Sequence, residues 1–457
     1  MPKTRTKPTG LIFFPAFDWA ISPTHPEREE RLLYTRDQIF EEGIMDLPEI
    51  AEFTPTLANV HDLAMTHFCV PTVAAQTVEA HLVAAGAAIL LADQIVAGNL
   101  HNGFALVRPP GHHSMRVVHG NRGFCNINNE AVMVNYLRRR KGIKRVAIID
   151  TDVHHGDGTQ EIFWHDPDVL CISFHQDGRT LYPGTGFVEE MGGPTAYGRT
   201  INLPLPPGTG DESLLYLVEN LIHPILQDFK PDFIVNSAGQ DNHYTDPLGS
   251  MRISANGYAR LTEVLQPDLA VLEGGYAIES ALPYVNMGII MALAGLDYST
   301  VREADYRVFK ESPQITEYVR RLVEQQWQNW KNIGATNFRR SPASGGGKYI
   351  ERNKEVYYDT DNIREAQREK LRQCVDCPGY LSIETQKSSY FGRGEGHALC
   401  LVVPVNACTS CQAEALELYQ TLKKKKTYPY LYLQDSVADV FYGFAAAQNK
   451  EWQTSGV

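Results

Sequence analysis

The sequence predicts an α/β protein with a single, mainly parallel sheet flanked by helices on both faces, followed by a small C-terminal zinc-ribbon domain. Three observations predict this fold class. Short apolar segments alternate with helical segments over the first 300 residues, which is typical of a parallel sheet. Polar clusters follow several of the strands, where open parallel sheets bind ligands. Two Cys-x2-Cys pairs then stand near the end of the chain.

The predicted strands are apolar runs rich in β-branched residues and too short to be helices. In chain order, they are Leu11–Phe14, Phe104–Val107, Val146–Ile149, Val169–His175, Asp232–Ser237 and Leu269–Glu273. Between them, helical segments are marked by capping residues, an acidic first turn or a continuous apolar face. These helices are expected from Thr24 as N-cap, over 79–98, from Asn128 or Asn129 to Arg140, and over 211–228, 278–295 and 314–333.

Composition limits the class of protein. The 457 residues, 43% of them hydrophobic and 21% charged, are ordinary for a folded protein with more than one domain. The net charge of −12 does not favour a nucleic-acid binder; it suits cationic substrates, or simply solubility. No apolar signal region follows the basic start and no apolar run of about 18 residues occurs, so no membrane span is expected. The eight cysteines are few for this length: three are scattered and five lie between 374 and 411, which suits a reducing compartment with one local metal site and adds to the expectation of a cytoplasmic protein.

The stretch DTDVHHGDG at residues 150–158 follows the strand over 146–149. Asp152 and His154 are two residues apart and therefore point to the same side of an extended chain. A carboxylate and an imidazole on one side suit a divalent metal such as zinc. Taken alone, the stretch is equally compatible with an acidic, Gly-rich surface turn. Asp241, at the end of another predicted strand, could supply a third ligand and leave a position for water and substrate, as in a catalytic zinc site.

A water activated by zinc needs a nearby base, and the paired His112 and His113 are candidates. Asp150 and Asp157 could each accept the far N–H of one imidazole and so set its tautomer. Tyr276, after a Gly-Gly pair, could donate its hydroxyl to a developing oxyanion. The alternative for Tyr276 is a packed aromatic side chain at the rim of the fold.

Several motifs then occur in a fixed order over roughly residues 10–300: RPPGHH (108–113), GFC with Asn-Asn (123–129), DTDVHHGDG (150–158), YPGTG (182–186), SAGQD with DPLG (237–249) and EGGY (273–276). Together they resemble the histone deacetylase family, which includes acetylpolyamine amidohydrolases and acetoin-utilisation proteins. The resemblance implies the arginase/deacetylase α/β fold and zinc-dependent hydrolysis of an acylated amine.

The resemblance also assigns residues. The implied zinc ligands are Asp152, His154 and Asp241. The implied catalytic residues are His112 with Asp150, His113 with Asp157, and Tyr276. Phe124 and Tyr182 would flank an acyl-lysine tunnel, together with Gly123 and Leu248. A structural potassium ion would be bound by Asp150, Asp152, His154, Ser173 and Phe174.

Three features qualify the resemblance. The family commonly has Phe where this chain has Tyr182, so the tunnel wall is expected to be more polar here. The segment from Ser114 to Arg122 carries basic residues and His119, departs from the family pattern and lies near the expected entrance, so it leaves substrate choice open. Arg31, in an element resembling the family's amino-terminal His-Pro-Glu…Arg segment, is expected to be structural, as is His175.

The tail changes in composition. We predict a catalytic domain over 1–335, a linker over 336–372 and a ribbon-like module over 373–457, with helices at 411–424 and 435–446. Four cysteines, separated by a hairpin, are expected to bind a structural zinc ion: Cys374, Cys377, Cys408 and Cys411. Disulfides or free thiols are the alternative. Such a module could bind a protein partner or a second subunit.

The predicted function is zinc-dependent hydrolysis of an acetylated amine, with acetyl-lysine in protein as the first substrate. One alternative is an amidohydrolase of acetylpolyamines or other small molecules. Another is a non-catalytic scaffold that binds acylated amines, although a pure binder has no need for a hydrolytic tyrosine. The sequence does not decide between zinc and ferrous iron, nor does it identify the acyl group.

Overall fold

The computed structural model describes residues 7–304, 306–333, 348–389 and 396–456. Its larger sheet contains eight strands in the order β2-β1-β4-β10-β9-β6-β7-β8, and all neighbouring pairs are parallel. The strands are β1 (Thr9–Phe14), β2 (Ile50–Glu52), β4 (Asn102–Val107), β6 (Val146–Asp150), β7 (Val169–Gln176), β8 (Thr200–Leu205), β9 (Phe233–Ala238) and β10 (Leu269–Leu272). The short strands β3 (Phe68–Cys69) and β5 (Val117–Val118) pair separately.

Helices cover both faces of this sheet. They are α1 (Glu30–Glu41), α2 (Val60–Ala64), α3 (Val73–Gln76), α4 (Glu79–Val96), α5 (Asn129–Arg140), α6 (Asp157–Phe163), α7 (Asp211–Leu217), α8 (His223–Phe229), α9 (Ala255–Leu265), α10 (Leu282–Ala294) and α11 (Pro313–Ile333), with a 3-10 turn at Ile44–Asp46. The central strands are buried on both sides, which explains their continuous apolar character. One described helix, α4, is long and apolar enough to cross a membrane by length and composition alone, and 56% of it is buried within the fold.

Local signals located most of the longer elements. The helix expected from Thr24 begins instead at Glu30. The helix over 211–228 is interrupted by a π-helical turn at Val218–Ile222. The elements without a counterpart in the prediction are the edge strands β2 and β8, the short strands β3 and β5, and the helices α2, α3, α6 and α9. By contrast, Asn128 caps α5 as expected, since its side chain accepts the amide N–H of Ala131 at 2.8 Å.

A second sheet of seven strands forms the C-terminal domain. Its strands, in spatial and chain order, are β11 (Tyr349–Tyr358), β12 (Ile363–Arg372), β13 (Leu381–Ser389), β14 (His397–Val403), β15 (Tyr430–Asp435), β16 (Val440–Ala445) and β17 (Lys450–Ser455). All pairs are antiparallel except β14 and β15, which are connected through α12 (Thr409–Lys425). The predicted hairpin between the two cysteine pairs is β13 and β14.

Two predictions for the tail are wrong. Residues 349–372, assigned to the linker, form the hairpin of β11 and β12, whereas 334–347 lie outside the described residues. The apolar side chains of these strands lie mainly near the strand ends, and charged residues between them form cross-strand ion pairs, such as Glu351 with Arg368 at 2.6 Å. The helix predicted over 435–446 is a turn followed by β16, where pairing with β15 and β17 decides the conformation. The C-terminal domain is therefore larger than the predicted zinc ribbon: it contains a seven-stranded sheet and the helix α12.

The C-terminal domain packs directly on the larger one. Both contribute to a single buried apolar cluster, which includes Phe68, Val117 and Val132 from the first domain and Leu371, Ile383, Cys400, Tyr432 and Phe441 from the second. Ion pairs surround this cluster: Arg352 with Glu161 at 2.9 Å, and Arg139 with Asp439 at 2.8 Å. The shared core indicates that the two sheets fold as one body rather than as a domain with a loose appendage.

Candidate active site

The carboxyl ends of four neighbouring strands form one cluster of polar side chains. Strands β4, β10, β9 and β6 are adjacent and parallel, so the loops that follow them meet at the same edge of the sheet. The loop after β4 carries the histidine pair, and the loop after β6 carries Asp152 and His154. The loops after β9 and β10 carry Asp241 and Tyr276. The topology thus brings together motifs that are more than 160 residues apart.

Asp152, His154 and Asp241 form a compact group with metal-ligand chemistry. Their nearest N and O atoms all lie within 4.8 Å of one another. His154 Nδ1 lies 3.0 Å from Asp152 Oδ1 and 3.2 Å from Asp241 Oδ2. Both carboxylates are fully buried, and repulsion between two buried carboxylates is relieved by a bound cation. Two carboxylates and one imidazole suit a zinc ion with an open coordination position.

The backbone supports this ligand set. The N–H of Gly274 donates to Asp152 Oδ2 at 2.8 Å, and the N–H of Val153 donates to Asp241 Oδ1 at 2.8 Å. The other oxygen of Asp241, Oδ2, is buried and faces His154 Nδ1 at 3.2 Å without hydrogen-bond geometry. A Cβ atom at Gly274 would lie 2.2 Å from that oxygen, so only glycine allows the chain to pass here. The residues present therefore fit a divalent metal.

The two histidines lie side by side with different carboxylate partners. His112 Nδ1 is 3.0 Å from Asp150 Oδ2, and His113 Nδ1 is 2.9 Å from Asp157 Oδ1. The ring centroids are 4.1 Å apart. The sequence-based pairing is thus what the structure contains. Each carboxylate holds one Nδ1–H, which directs Nε2 of each ring away from it.

The histidine pair has opposed pKa shifts. Burial and the neighbouring His112 lower the pKa of His113 to about 3, so this imidazole is neutral and able to accept a proton. Burial alone would lower the pKa of His112, but the carboxylates of Asp152 and Asp150 outweigh it and raise that pKa well above 6.5. A cation bound at Asp152 would weaken the attraction of that carboxylate for the His112 proton. The raised pKa of His112 therefore describes the protein without metal.

Tyr276 is held by its backbone at the end of β10. Its N–H donates to Asp246 Oδ2 at 2.7 Å, and the N–H of Ala277 donates to the same oxygen. The guanidinium of Arg31 lies 5.0 Å from the ring centroid of Tyr276. Burial raises the pKa of the Tyr276 hydroxyl well above 10, so the group remains a hydrogen-bond donor at neutral pH.

Two half-buried aromatic rings stand over this buried site. The ring of Phe124 packs edge-on against Tyr276 at 5.8 Å, and the ring of Tyr182 packs edge-on against His113 at 5.1 Å. Gly123 has φ +51°, and a Cβ atom there would lie 2.4 Å from the His113 ring. Leu248 is half-buried on the turn that carries Asp246. The two rings and Gly123 define what we call the rim of the site.

Sequence reasoning missed two supports of the site. Glu273, within the EGGY motif, accepts the backbone N–H groups of Gly111 (2.8 Å) and His112 (3.0 Å) and so orients the histidine loop. Glu27 is fully buried between Arg31 and Arg108, at 3.0 and 2.7 Å. The structural role expected for Arg31 agrees with this ion-pair network. The sequence signal for Glu273 was its position in the EGGY motif. The signal for Glu27 was an acidic residue four positions before Arg31.

The potassium site stays a prediction. Asp150 and Ser173 are register partners on β6 and β7, and the Ser173 hydroxyl bonds His175 Nδ1 at 2.8 Å. Burial lowers the pKa of His175 well below 6.5, which fits its expected structural role. Phe174 is buried in the core of the larger domain.

The four cysteines of the C-terminal domain converge. The sulfur atoms of Cys374, Cys377, Cys408 and Cys411 all lie within 4.8 Å of one another, and none is in a disulfide. Cys374 Sγ and Cys408 Sγ are 3.9 Å apart, close to the roughly 3.8 Å between thiolates that share a tetrahedral zinc at about 2.3 Å. The N–H of Cys411 lowers the pKa of Cys408 to about 7, which favours the thiolate. The cluster fits a structural zinc module.

Comparisons with known proteins agree with this geometry. The histone deacetylase domain family matches residues 68–288. A probable deacetylase of Archaeoglobus fulgidus is 43% identical over 325 residues, which cover 65% of this chain and 89% of that protein. Histone deacetylase 14, chloroplastic, of Arabidopsis thaliana is 42% identical over 225 residues, 46% of this chain and 52% of that protein.

A solved structure gives the same result for the fold. The crystal structure of the HDA15 HD domain superposes with a TM-score of 0.63 at 30% identity, covering 72% of this chain and 97% of that one. The eight-stranded parallel sheet with its flanking helices is therefore the deacetylase fold. The relatives are deacetylases and amidohydrolase-like proteins, which supports hydrolase activity. On these grounds the chain belongs to the histone deacetylase family.

Proposed function

We propose that the protein is a zinc-dependent deacylase that hydrolyses the amide of an acetylated amine to the free amine and acetate. One observation carries the proposal: the group of Asp152, His154 and Asp241 lies beside a neutral histidine and a protonated tyrosine, beneath the rim. Metal ligands, a base and an oxyanion donor are the parts that metal-assisted amide hydrolysis requires.

The side chains around the metal group divide the proton transfers between them. When bound, zinc supplies Lewis acidity to the acyl carbonyl and to the attacking water. His113 Nε2 is the base that accepts the proton of the water, because its pKa is depressed and its Nδ1–H is held by Asp157. The same histidine then returns that proton to the nitrogen of the leaving amine. His112, held by Asp150, positions the water through its own Nε2.

Tyr276 acts on the other side of the reacting carbonyl. Its hydroxyl donates a hydrogen bond to the carbonyl oxygen as negative charge develops there. The bond from Asp246 to the Tyr276 N–H fixes the backbone that carries this hydroxyl, so the donor is in place before the reaction begins. Phe124 and Tyr182 exclude water from the acyl chain, which strengthens each of these electrostatic contacts.

Acetyl-lysine in protein is the first proposed substrate, with acetylated polyamines as the second. The family acts on acetylated amines, and the net charge of −12 favours cationic substrates of either kind. Zinc is the proposed metal, with ferrous iron as the alternative for the same three ligands. The second zinc, at the four cysteines, is proposed as structural, because four thiolates leave no open position.

The test is acetate release from an acetyl-lysine peptide and from acetylspermidine, before and after removal and return of zinc. We expect release to disappear on chelation and to return with zinc, and ferrous iron serves as a parallel arm. Asp152→Asn is the matched control, since it removes one pocket ligand and leaves the cysteine site intact. A protein with metal in the pocket that releases acetate from neither substrate would contradict the proposal, and binding of the substrates without release would favour the scaffold alternative.

A further inference from the structure

The turn between β11 and β12, residues 359–362, extends from the C-terminal domain to the rim of the candidate active site. Asp359 Oδ1 accepts the backbone N–H of Gly123 at 2.9 Å and the hydroxyl of Tyr182 at 3.0 Å. Both partners are rim residues, and both lie more than 170 residues before Asp359 in the chain. A carboxylate of the second domain is thus directly bonded to the walls of the first domain's site.

The residues around Asp359 anchor this turn. Asp361 accepts the N–H of Asn121 at 2.6 Å, and Arg122 Nε donates to the carbonyl of Tyr357 at 3.1 Å. The hydroxyl of Tyr358, a residue with 1% of its surface exposed, donates to the carbonyl of Val117 at 2.8 Å. The contacts of Tyr357, Tyr358 and Asp361, next to those of Asp359, fix this turn to the segment 117–123 of the first domain.

The same interface accounts for the segment 114–122, which departs from the family pattern. His119 Nε2 lies 3.0 Å from the hydroxyl of Thr385 on β13. Met115 packs in a small buried apolar cluster with Val356 and Tyr358. Most of the side chains that distinguish this segment therefore face the C-terminal sheet. The segment 114–122 therefore differs from the family pattern where it contacts the second sheet.

The charges next to Asp359 do not cancel its own. The guanidinium of Arg122 lies 5.6 Å from the ring centroid of Tyr182, whose hydroxyl Asp359 accepts. This guanidinium already forms a two-point ion pair with Asp157, at 2.7 and 2.5 Å. Burial lowers the pKa of His25, whose ring packs edge-on against Phe124 at 4.3 Å, so this ring is neutral at pH 7. Asp359 is partly exposed, and its Oδ2 is not engaged in either of the two bonds.

We propose that the C-terminal domain completes the entrance to the active site and that Asp359 is a positioning and specificity-determining residue of this entrance. It holds Gly123 and Tyr182 in place, and its carboxylate favours acylated amines that carry a second positive charge. The inference rests on the proposed function for the acyl-amine pocket and adds a substrate preference to it. The class of ligand is an N-acylated diamine, polyamine or lysine next to a basic group.

Two variants separate the two roles of Asp359. Asp359→Asn keeps a carbonyl oxygen as acceptor for Gly123 and Tyr182 but removes the charge. Asp359→Ala removes both. Asp361→Asn is the matched control, because it removes an equal charge two residues away that is bonded to Asn121 and not to the rim. Tyr182→Phe removes the hydroxyl that Asp359 accepts and leaves the charge.

The probes are N-acetylcadaverine, which ends in an ammonium group, and N-hexylacetamide, which has a methyl group in its place. Their dissociation constants are measured by calorimetry on zinc-loaded protein that carries Tyr276→Phe to stop turnover. Turnover of both is measured in parallel with Tyr276 intact. We expect tighter binding of the cationic probe, a preference reduced about five-fold in Asp359→Asn and unchanged in Asp361→Asn. Asp359→Ala is expected to weaken the binding of both probes. Tyr182→Phe is expected to keep the preference for the cationic probe.

The binding arm decides the inference independently of catalysis. A cationic preference that is absent, or that survives Asp359→Asn, overturns the assignment to Asp359 even if turnover is high. A preference that disappears in Asp359→Asn supports the assignment even if neither probe is hydrolysed, in which case the proposed function is what fails. Equal loss of preference in Asp361→Asn would show a general surface charge effect and would also overturn the assignment.

Discussion

Arg122 forms a two-point ion pair with Asp157 in the buried region behind the histidine pair: Nη1 lies 2.7 Å from Oδ1, and Nη2 lies 2.5 Å from Oδ2. The same Oδ1 accepts the Nδ1–H of His113. The negative charge that would otherwise attract a proton to His113 is therefore shared with a guanidinium. This arrangement keeps the proposed base neutral. Arg122 also contacts the C-terminal domain, because its Nε donates a hydrogen bond to the carbonyl of Tyr357.

Replacing Arg122 with Met is expected to move the acidic limb of the kcat/KM profile to higher pH by about one unit. Burial and His112 lower the pKa of His113, Asp157 raises it and Arg122 lowers it. Without the guanidinium, the carboxylate of Asp157 acts alone, so His113 is protonated at higher pH and loses its role as base. The measurement is the pH profile of kcat/KM. Arg116→Met is the control, because Arg116 bonds Ile162 and Gln434 instead of Asp157. An unmoved limb in Arg122→Met would remove Arg122 from this role.

Replacing Tyr276 with Phe is expected to lower kcat by roughly 100-fold or more, with metal content unchanged. The substitution removes one hydrogen-bond donor to the developing oxyanion but keeps the ring that packs against Phe124. Acetate release and metal analysis on the same preparation check it. Tyr258→Phe is a comparison within the fold, since it removes another buried tyrosine hydroxyl, which accepts the N–H of Asn242. Full turnover in Tyr276→Phe would reject the role of its hydroxyl.

Replacing Cys374 with Ser is expected to reduce bound zinc by one ion per chain and to lower Tm by roughly 5 °C or more. The cysteine cluster joins the start of α12 to the segment that follows β12, in a domain whose sheet shares its core with the larger domain. Metal analysis and calorimetric melting test this. Cys400→Ala serves as the control: Cys400 is fully buried outside the four-sulfur cluster, so its loss should leave the zinc count unchanged. A Cys374→Ser protein that retains all its zinc would exclude the four-cysteine site.

Stability is expected to fall as pH drops from about 6.5 to about 4, in part through His67. Its Nδ1–H donates to the carbonyl of Met115 at 2.8 Å, and its Nε2 accepts the N–H of Asn128 at 3.0 Å. Burial lowers the pKa of His67 to about 4, so in this window the unfolded chain binds a proton that the folded protein does not. For this group, the free energy of unfolding then falls by at most about 1.4 kcal/mol for each unit by which the pH drops.

His67→Gln tests this contribution, because a Gln amide can donate and accept at the same two places but does not titrate. Urea unfolding at pH 5 and pH 7 should show a smaller loss of stability in the variant than in the parent protein. Equal losses in the two proteins would mean that His67 does not take up a proton on unfolding in this range.

Local pattern alone determined much of the larger domain and of the metal group. Asp152 and His154 lie together because they are two residues apart in one short bend, in which the N–H of His154 donates to Asp152 Oδ1 at 2.8 Å. The expectation of an extended segment was wrong, but the short separation along the chain is enough to keep the two side chains close. Asp241 joins them because the carboxyl ends of parallel strands meet at one edge, and Asn128 caps α5 through a contact three residues away. These relationships depend on short-range geometry or on the general topology of parallel sheets, and both can be read from residue order.

The tertiary structure alone decided how the tail relates to the site. Strands β11 and β12 are charged or polar through most of their length, with apolar side chains mainly near their ends, so their hydrophobic signal is weak and they resemble a polar linker until they pair with each other. The bond between Asp359 and Tyr182 joins residues 177 positions apart in the chain. No periodicity or local propensity encodes such a pair, because it exists only after the two sheets have packed through their shared apolar core. The sequence therefore determined the chemistry of the pocket, and the packing of the second sheet decided what surrounds its entrance.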